Sequence, residues 1–124
     1  VGSQAMPGIA RLAALRTDPR LAADIAIWPF ETSFADDLGR PVTITEIYPS
    51  LFPVGEADGL PRDRAQVEVT TARFAELDRA SLLASFLSPP AGVTADERVA
   101  LIAEEGWIVG AGHEALLALL RSAA

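Results

Sequence analysis

Only two stretches of this chain have the pattern of β-strands, and this scarcity limits the folds that it can adopt. The first, at residues 25–30, is short, apolar and rich in β-branched and aromatic side chains. The second, at residues 42–49, alternates between two faces as a strand does. Two strands make a poor independent core. We therefore expect further strands either from residues that precede Val1 in a longer parent chain or from another copy.

The other periodic segments favour helices, so the sequence predicts an α/β chain with two core strands and four or five helices. Thr94, followed three residues later by Glu97, is a full capping box, and Gly106 is expected to end that helix. Asp63 and Asp78 are also interpreted as helix N-caps. The predicted helices cover residues 9–16, 63–77, 82–87, 95–105 and 114–121, with a short one at 21–23 as an option and an extended segment at 107–109.

Composition excludes several classes of protein. A chain of 124 residues, half of them apolar, can bury one modest core, so residues 1–124 are expected to form a single domain. The net charge of -7 argues against a nucleic-acid or anionic-membrane surface, because both need basic side chains. The chain has no cysteine, which excludes disulfides and thiolate catalysis, and the cytoplasm is the default location. The sequence is interpreted as having neither a Walker motif nor a dinucleotide fingerprint, so it gives nucleotide binding no support.

Glu46 is the residue that most suggests a site. In a continuous strand it shares a face with Val42, Ile44 and Tyr48. An ionised carboxylate on an apolar face costs several kcal/mol unless it is paired, hydrogen-bonded or bound to a metal. The position therefore indicates a polar site at the end of the strand.

Two further acids could join Glu46. The stripe from Asp63 through Val67 to Leu77 predicts that Asp63 lies on the core-facing side of its helix, and Glu31 ends the first strand. Such carboxylates could bind Mg²⁺ or Mn²⁺ and activate water for phosphoester hydrolysis. The structural alternative is that Asp63 only caps its helix, that Glu46 pairs with Arg62 or Arg64, and that Glu31 is exposed.

His113, the only histidine, excludes a multi-histidine metal site within this chain and is favoured as a packed or surface residue. Glu104 and Glu105 are expected to be solvated acids at the end of a helix. Their placement is unusual, since acids at a helix C-terminus oppose the helix dipole.

Several segments together resemble a known group of proteins. They are Val1-Gly2-Ser3-Gln4, Trp28-Pro29-Phe30-Glu31, Thr45-Glu46-Ile47-Tyr48-Pro49-Ser50, Asp63-Arg64-Ala65-Gln66-Val67 and Glu104-Glu105-Gly106-Trp107-Ile108-Val109-Gly110. The chain resembles the C-terminal part of uncharacterised bacterial proteins labelled as cobalamin-biosynthesis or molybdopterin-guanine-dinucleotide-biosynthesis proteins. Those proteins are similar to a predicted-nuclease branch of the ribonuclease-H-like superfamily.

The resemblance implies the second half of a ribonuclease-H-like fold, with the N-terminal strands missing. By position, Glu46 matches the family's strand acid and Asp63 its helix acid, whereas the first-strand acid has no counterpart and Gln66 replaces a further acid. The implied function is a divalent-metal-dependent phosphoesterase or nuclease-like domain that is inactive as this fragment. The alternatives are a non-catalytic interaction or oligomerisation module, and a role in cobalamin or molybdenum-cofactor biosynthesis, for which no residue cluster argues.

Overall fold

The computed structural model describes residues 2–35, 38–55, 59, 61–89 and 91–122, with the side chains of 2–6 and 119–122 left out of the description. Within these ranges the chain is a mixed α/β protein with five α-helices and four short strands. In chain order the elements are α1 (Gly2–Thr17), β1 (Ile25–Ile27), β2 (Val42–Ile44), β3 (Glu46–Ile47), α2 (Arg62–Arg79), α3 (Leu83–Phe86), α4 (Ala95–Ala100), β4 (Ile108–Val109) and α5 (Glu114–Ser122). This confirms the α/β class, while a ribonuclease-H-like arrangement stays a prediction.

β1 and β2 are parallel, with Ile25 opposite Val42 and Ile27 opposite Ile44. The strands predicted at 25–30 and 42–49 would leave a connection of about ten residues, which is short for a parallel crossover. β1 ends three residues earlier than predicted, since Pro29 has no N–H to donate and the chain turns there. The connection therefore covers residues 28–41, which is long enough to reach the start of a parallel neighbour.

The second predicted strand is not continuous. It divides at Thr45 into β2, which pairs with β1, and β3, which pairs in parallel with β4. Glu46 lies opposite Ile108, and Ile47 lies opposite Val109. The described strands therefore form two separate two-stranded parallel sheets, and residues 48–49 belong to neither.

The helix ends follow local sequence signals in some places and not in others. α1 ends at Thr17, one residue beyond its predicted range of 9–16, but begins at Gly2, earlier than predicted. The predicted end at Gly106, the capping box of α4, the extended segment at 108–109 and helix α5 are confirmed, with a π-helical turn at Leu101–Glu105 extending α4. The cap predicted at Asp63 is wrong, because α2 begins one residue earlier and its N-cap is Pro61. Asp78 lies inside α2 and is not the N-cap that was predicted, and residues 21–23 form a turn in place of the optional short helix.

The core is built mainly from the helices after β3 and from the connection after β1. Trp28 and Phe34 meet edge to face with ring centroids 5.4 Å apart, and the Trp28 indole N–H donates to the Leu87 carbonyl at 3.2 Å. Arg98 of α4 covers the Phe34 ring and donates to its carbonyl. The buried cluster consists of Trp28, Phe34, Leu51, Phe52, Leu77, Phe86, Leu101, Val109 and Leu117.

Helix α1 stands outside this core. None of its described residues belongs to the buried cluster, and most of them are exposed. None of the helices in the described ranges is long and apolar enough to cross a membrane.

Candidate functional site

The strongest candidate site is a cleft at the carboxyl ends of β1 and β2, where open parallel sheets commonly bind ligands. It consists of two adjoining cavities of about 280 and 310 Å³. Both cavities are lined by Glu46, Glu105, Gly106 and Trp107. Leu12, Ile27, Trp28, Phe30, Ile44 and Thr45 complete the wall on one side, and Leu101, Ile108 and Ala111 complete it on the other. We call this the Glu46–Glu105 cleft.

Gly106 shapes the cleft because it reverses the chain between the π-helical turn and β4. Its φ is 73°, a region that L side chains rarely adopt, and its N–H donates to the Leu101 carbonyl at 2.9 Å. A Cβ built on Gly106 would lie 2.8 Å from the Phe30 ring. The next residue, Trp107, is held by a 3.2 Å bond from its indole N–H to the Ala111 carbonyl. The cleft therefore depends on close packing between Phe30 and Gly106.

Glu46 lines the cleft, but its carboxylate is not confined to an apolar strand face as the sequence predicted. Its side chain is exposed, as are those of Val42 and Tyr48, whereas Ile44 is half-buried and Ile47 packs against the core. Glu46 itself is therefore solvated, and its carboxylate needs no compensating partner. Arg64, one partner that was considered, instead pairs with Glu68 at 2.8 Å.

Asp63 lies at the exposed start of α2, so its predicted core-facing placement is wrong. Val67, one turn further along, is 66% exposed, and the side of α2 that meets the core passes through Phe74 and Leu77. Asp63 does line a groove of about 520 Å³, together with Ile47, Pro49, Gln66, Val67, Thr70 and Thr71. Glu46 does not line this groove, so the described cavities do not bring the two predicted catalytic acids together.

Glu31 has a structural partner. Arg16 Nε lies 2.8 and 3.0 Å from its two carboxylate oxygens, and the Ile27 N–H donates to Glu31 Oε2 at 2.9 Å. Partial burial raises the pKa of this carboxyl group, but the bonds from Ile27 and Arg16 outweigh that effect and leave the pKa below its ordinary value. Glu31 is thus an ionised, hydrogen-bonded group.

The predicted metal ligands Glu46, Asp63 and Glu31 are therefore in three different surroundings. No group of three potential metal-ligating acids or histidines forms within the described ranges. The two acids that share a cavity are Glu46 and Glu105. For Glu105 the sequence predicts only a solvated acid at the end of a helix. Two carboxylates at one cleft are suitable oxygen donors for Mg²⁺ or Mn²⁺.

One motif was missed at the sequence level. Residues 110–115, Gly-Ala-Gly-His-Glu-Ala, follow the G-x-G-x-x-A spacing of a dinucleotide-binding turn, and they lie between β4 and α5. Gly110 is buried, with Leu51 and Phe86 side chains against it, and the Gly112 N–H donates to the Glu114 carboxylate at 3.0 Å. An acid of the chain itself therefore occupies a donor that a phosphate would need.

His113 packs as expected. Its Nε2 lies 3.0 Å from the Ser88 carbonyl oxygen, and its ring centroid is 5.9 Å from that of Phe86. The half-buried ring thus connects the start of α5 to the segment that follows α3.

Comparison with known proteins found no matching family model, no matching curated protein and no matching solved structure.

Proposed function

We propose that this chain is a non-catalytic interaction module whose sheets and first helix dock against further strands, supplied by preceding residues of a parent chain or by a second copy. The observation that carries this proposal is the state of the sheets. All the described strand pairs are parallel, and each sheet has only two strands. Parallel sheets occur almost only with both faces covered, and a two-stranded unit is marginal alone.

Helix α1 supports the same function. At 100° per residue, Ile9, Leu12, Leu15 and Arg16 fall within about one third of the helix circumference. Leu12 reaches the Glu46–Glu105 cleft and Arg16 binds Glu31, so the stripe points toward the body of the molecule at its C-terminal end. Ile9 and Leu15 on the same stripe remain exposed. The helix therefore has apolar surface available for a partner.

The test is self-association of the isolated chain, measured by sedimentation velocity over a range of concentrations. Ile9 and Val99 are each 67% exposed, but Val99 lies on α4, away from the stripe. Ile9→Glu should shift the wild-type association toward monomer, and Val99→Glu should leave it unchanged, because only the former places a charge in the apolar contact. A wild-type chain that stays monomeric and binds no apolar dye contradicts the proposal.

A second candidate function is metal-dependent phosphoester hydrolysis by the intact parent protein. The observation that favours it is that Glu46 and Glu105 line the same two cavities, between the carboxyl ends of β1 and β2 and the starts of β3 and β4. Both carboxylates would hold Mg²⁺ or Mn²⁺, which would supply an activated water. Asp63 belongs to this proposal through the family resemblance alone.

Calorimetry with Mn²⁺ on the intact chain distinguishes which of these residues bind the metal. Glu46→Gln and Glu105→Gln should each abolish the binding heat, whereas Asp63→Asn should preserve it if the cleft pair is the site. Full Mn²⁺ binding by Glu46→Gln would remove this candidate. If Asp63→Asn alone abolished binding, the ligand would lie at the α2 groove instead.

A further inference from the structure

The outer edge of β1 is the edge that faces away from β2, and the bonds between the two strands show which backbone groups lie on it. The Asp24 carbonyl accepts from the Val42 N–H at 2.9 Å, and the Trp28 N–H donates to the Ile44 carbonyl at 3.0 Å. Because alternate residues of a strand face its two neighbours, the N–H and C=O groups of Ile25 and Ile27 point away from β2. These are the groups that another strand would need in order to pair with β1.

The chain itself occupies three of those four groups. The Ile25 N–H donates to the Leu21 carbonyl at 3.1 Å. The Ile27 N–H donates to the Glu31 carboxylate at 2.9 Å, and the Ile27 carbonyl accepts from the Glu31 N–H at 2.8 Å. Glu31 therefore closes the end of β1 from both its side chain and its backbone.

Arg16 fixes this arrangement from α1. Its Nε donates to both Glu31 oxygens, and its Nη1 donates to the Ala22 carbonyl at 3.0 Å. The side chain thus joins α1 to the two turns that flank β1. Closure of the strand edge is consequently coupled to the position of α1.

The outer edge of β2 lacks such a closure. Val42 and Ile44 bond toward β1, so the Thr43 N–H and C=O point the other way. Within the described residues, no hydrogen bond from outside the sheet reaches the Thr43 backbone. An open edge of this kind can accept a strand whose own edge is open.

The geometry points to Glu31, held by Arg16, as a guard that prevents β1 from pairing with a strand of a second copy. Charged side chains at a strand edge are a recognised means of blocking such pairing, and Glu31 places its charge there from the turn that follows β1. Release of Arg16, as when a partner draws α1 away, leaves the Glu31 carboxylate without its ion pair, and the turn that carries Glu31 can then leave the edge of β1. The inference rests on the proposed function, in which partners engage α1 and the sheets.

The test compares amide exchange and association in Glu31→Ala with those in Glu68→Ala, which removes the surface ion pair between Glu68 and Arg64 on α2. Glu31→Ala should exchange the Ile27 amide about tenfold faster or more, because its acceptor is gone, while the Val109 amide in the core keeps its rate. The same variant should self-associate at lower protein concentrations than wild type. Glu68→Ala should match wild type in both measurements.

An unchanged Ile27 rate overturns the inference, and so does a Glu31→Ala chain that associates no more than wild type. If Glu31→Ala fails to fold, Glu31→Gln replaces it, since the amide oxygen can still accept from Ile27 but loses the charge that binds Arg16. The increase in the exchange rate of the Ile27 amide is then expected to be smaller, and an unchanged rate again overturns the inference. The exchange measurement uses dilute monomer, so it tests the hydrogen bond between Ile27 and Glu31 independently of the Ile9→Glu result, which tests the proposed function.

Discussion

At the scale of single residues, Gly106 shows how one backbone conformation shapes the candidate site. It ends the π-helical turn with a positive φ, and the Phe30 ring packs where a side chain would begin. Any other residue would have to adopt a rare conformation and also move the ring. The Glu46–Glu105 cleft thus depends on the absence of a Cβ at this position.

Gly106→Ala should lower the free energy of unfolding by about 1–3 kcal/mol, because backbone strain and the contact with Phe30 add. Gly59→Ala is the matched control: Gly59 has φ 74°, and its Cβ would meet nothing within 4 Å. The control should cost about 1 kcal/mol from backbone strain alone. Urea unfolding of both variants measures the difference, and equal losses would show that Phe30 moves without cost.

Acid should destabilise the protein partly through Glu31. The bonds from Ile27 and Arg16 lower the pKa of this carboxyl group in the folded state below its ordinary 4.5. A lowered folded-state pKa stabilises the protein above pH 4.5, and that contribution is lost as the pH falls through the folded value. Asp18 and Glu97 also have lowered pKa values, through bonds from Arg20 and Thr94 respectively, and so add to the same trend.

Glu31→Gln should therefore be less stable than wild type at pH 7, and the difference should shrink as the pH falls below 4.5, because glutamine cannot be protonated in this range. Thermal unfolding of both proteins at a series of pH values measures this convergence. Parallel profiles would show that the ionised carboxylate contributes nothing to stability.

At the scale of elements, α4 and α2 begin in different ways, although both have an acid in the first turn. The Thr94 hydroxyl accepts from the Glu97 N–H at 3.3 Å, and the Glu97 carboxylate accepts from the Thr94 N–H at 2.8 Å. α2 has no side-chain cap, and Pro61 precedes its first turn. Proline is well suited to the start of a helix, since the missing N–H would lack a helical partner there.

Thr94→Ala should lower the free energy of unfolding by about 1 kcal/mol, the usual cost of losing an N-cap. Asp63→Ala should cost only about 0.3–1 kcal/mol, since it removes a charge near the helix dipole and no cap. Chemical denaturation of the two variants tests the ranking. A larger loss for Asp63→Ala would indicate a contact beyond those of the helix start.

Across the whole molecule, the main buried cluster is concentrated around the helices, while Ile25 and Ala26 of β1 are buried outside it. Val109 is the only strand residue among the described members of the buried cluster, while Trp28 and Phe34 come from the connection after β1. Phe86 on α3 is fully buried, and the half-buried His113 ring packs beside it. The molecule can therefore hold its helices together while the outer edge of β2 and the apolar stripe of α1 remain available to a partner.

Phe86→Ala should lower the free energy of unfolding by about 3–5 kcal/mol, because it leaves a cavity at a fully buried position. Val67→Ala should change it by at most about 0.5 kcal/mol, since that side chain is exposed on α2. Calorimetric melting measures both. A small loss for Phe86→Ala would show that the segment around α3 is not part of the cooperative core.

Local sequence patterns predicted helix ends correctly where a capping residue or a glycine fixes them. The Thr94–Glu97 capping box and Gly106 each act within one turn of the backbone, so they can be read from neighbouring residues. Glu46 and Asp63 were harder, because their surroundings depend on how β3 and α2 meet other elements. The alternation that put Glu46 on an apolar face assumed a single strand, and the change of partner at Thr45 removed that assumption.

Residue type and short-range spacing are enough to predict the α/β class, the scarcity of strands and the start of α4. The folded chain adds that β1 and β2 are parallel, that Glu105 joins Glu46 at one cleft, and that Arg16 holds Glu31 against the edge of β1. Each of these joins residues far apart in the chain. Their proximity depends on packing and chain direction, which local propensity does not specify.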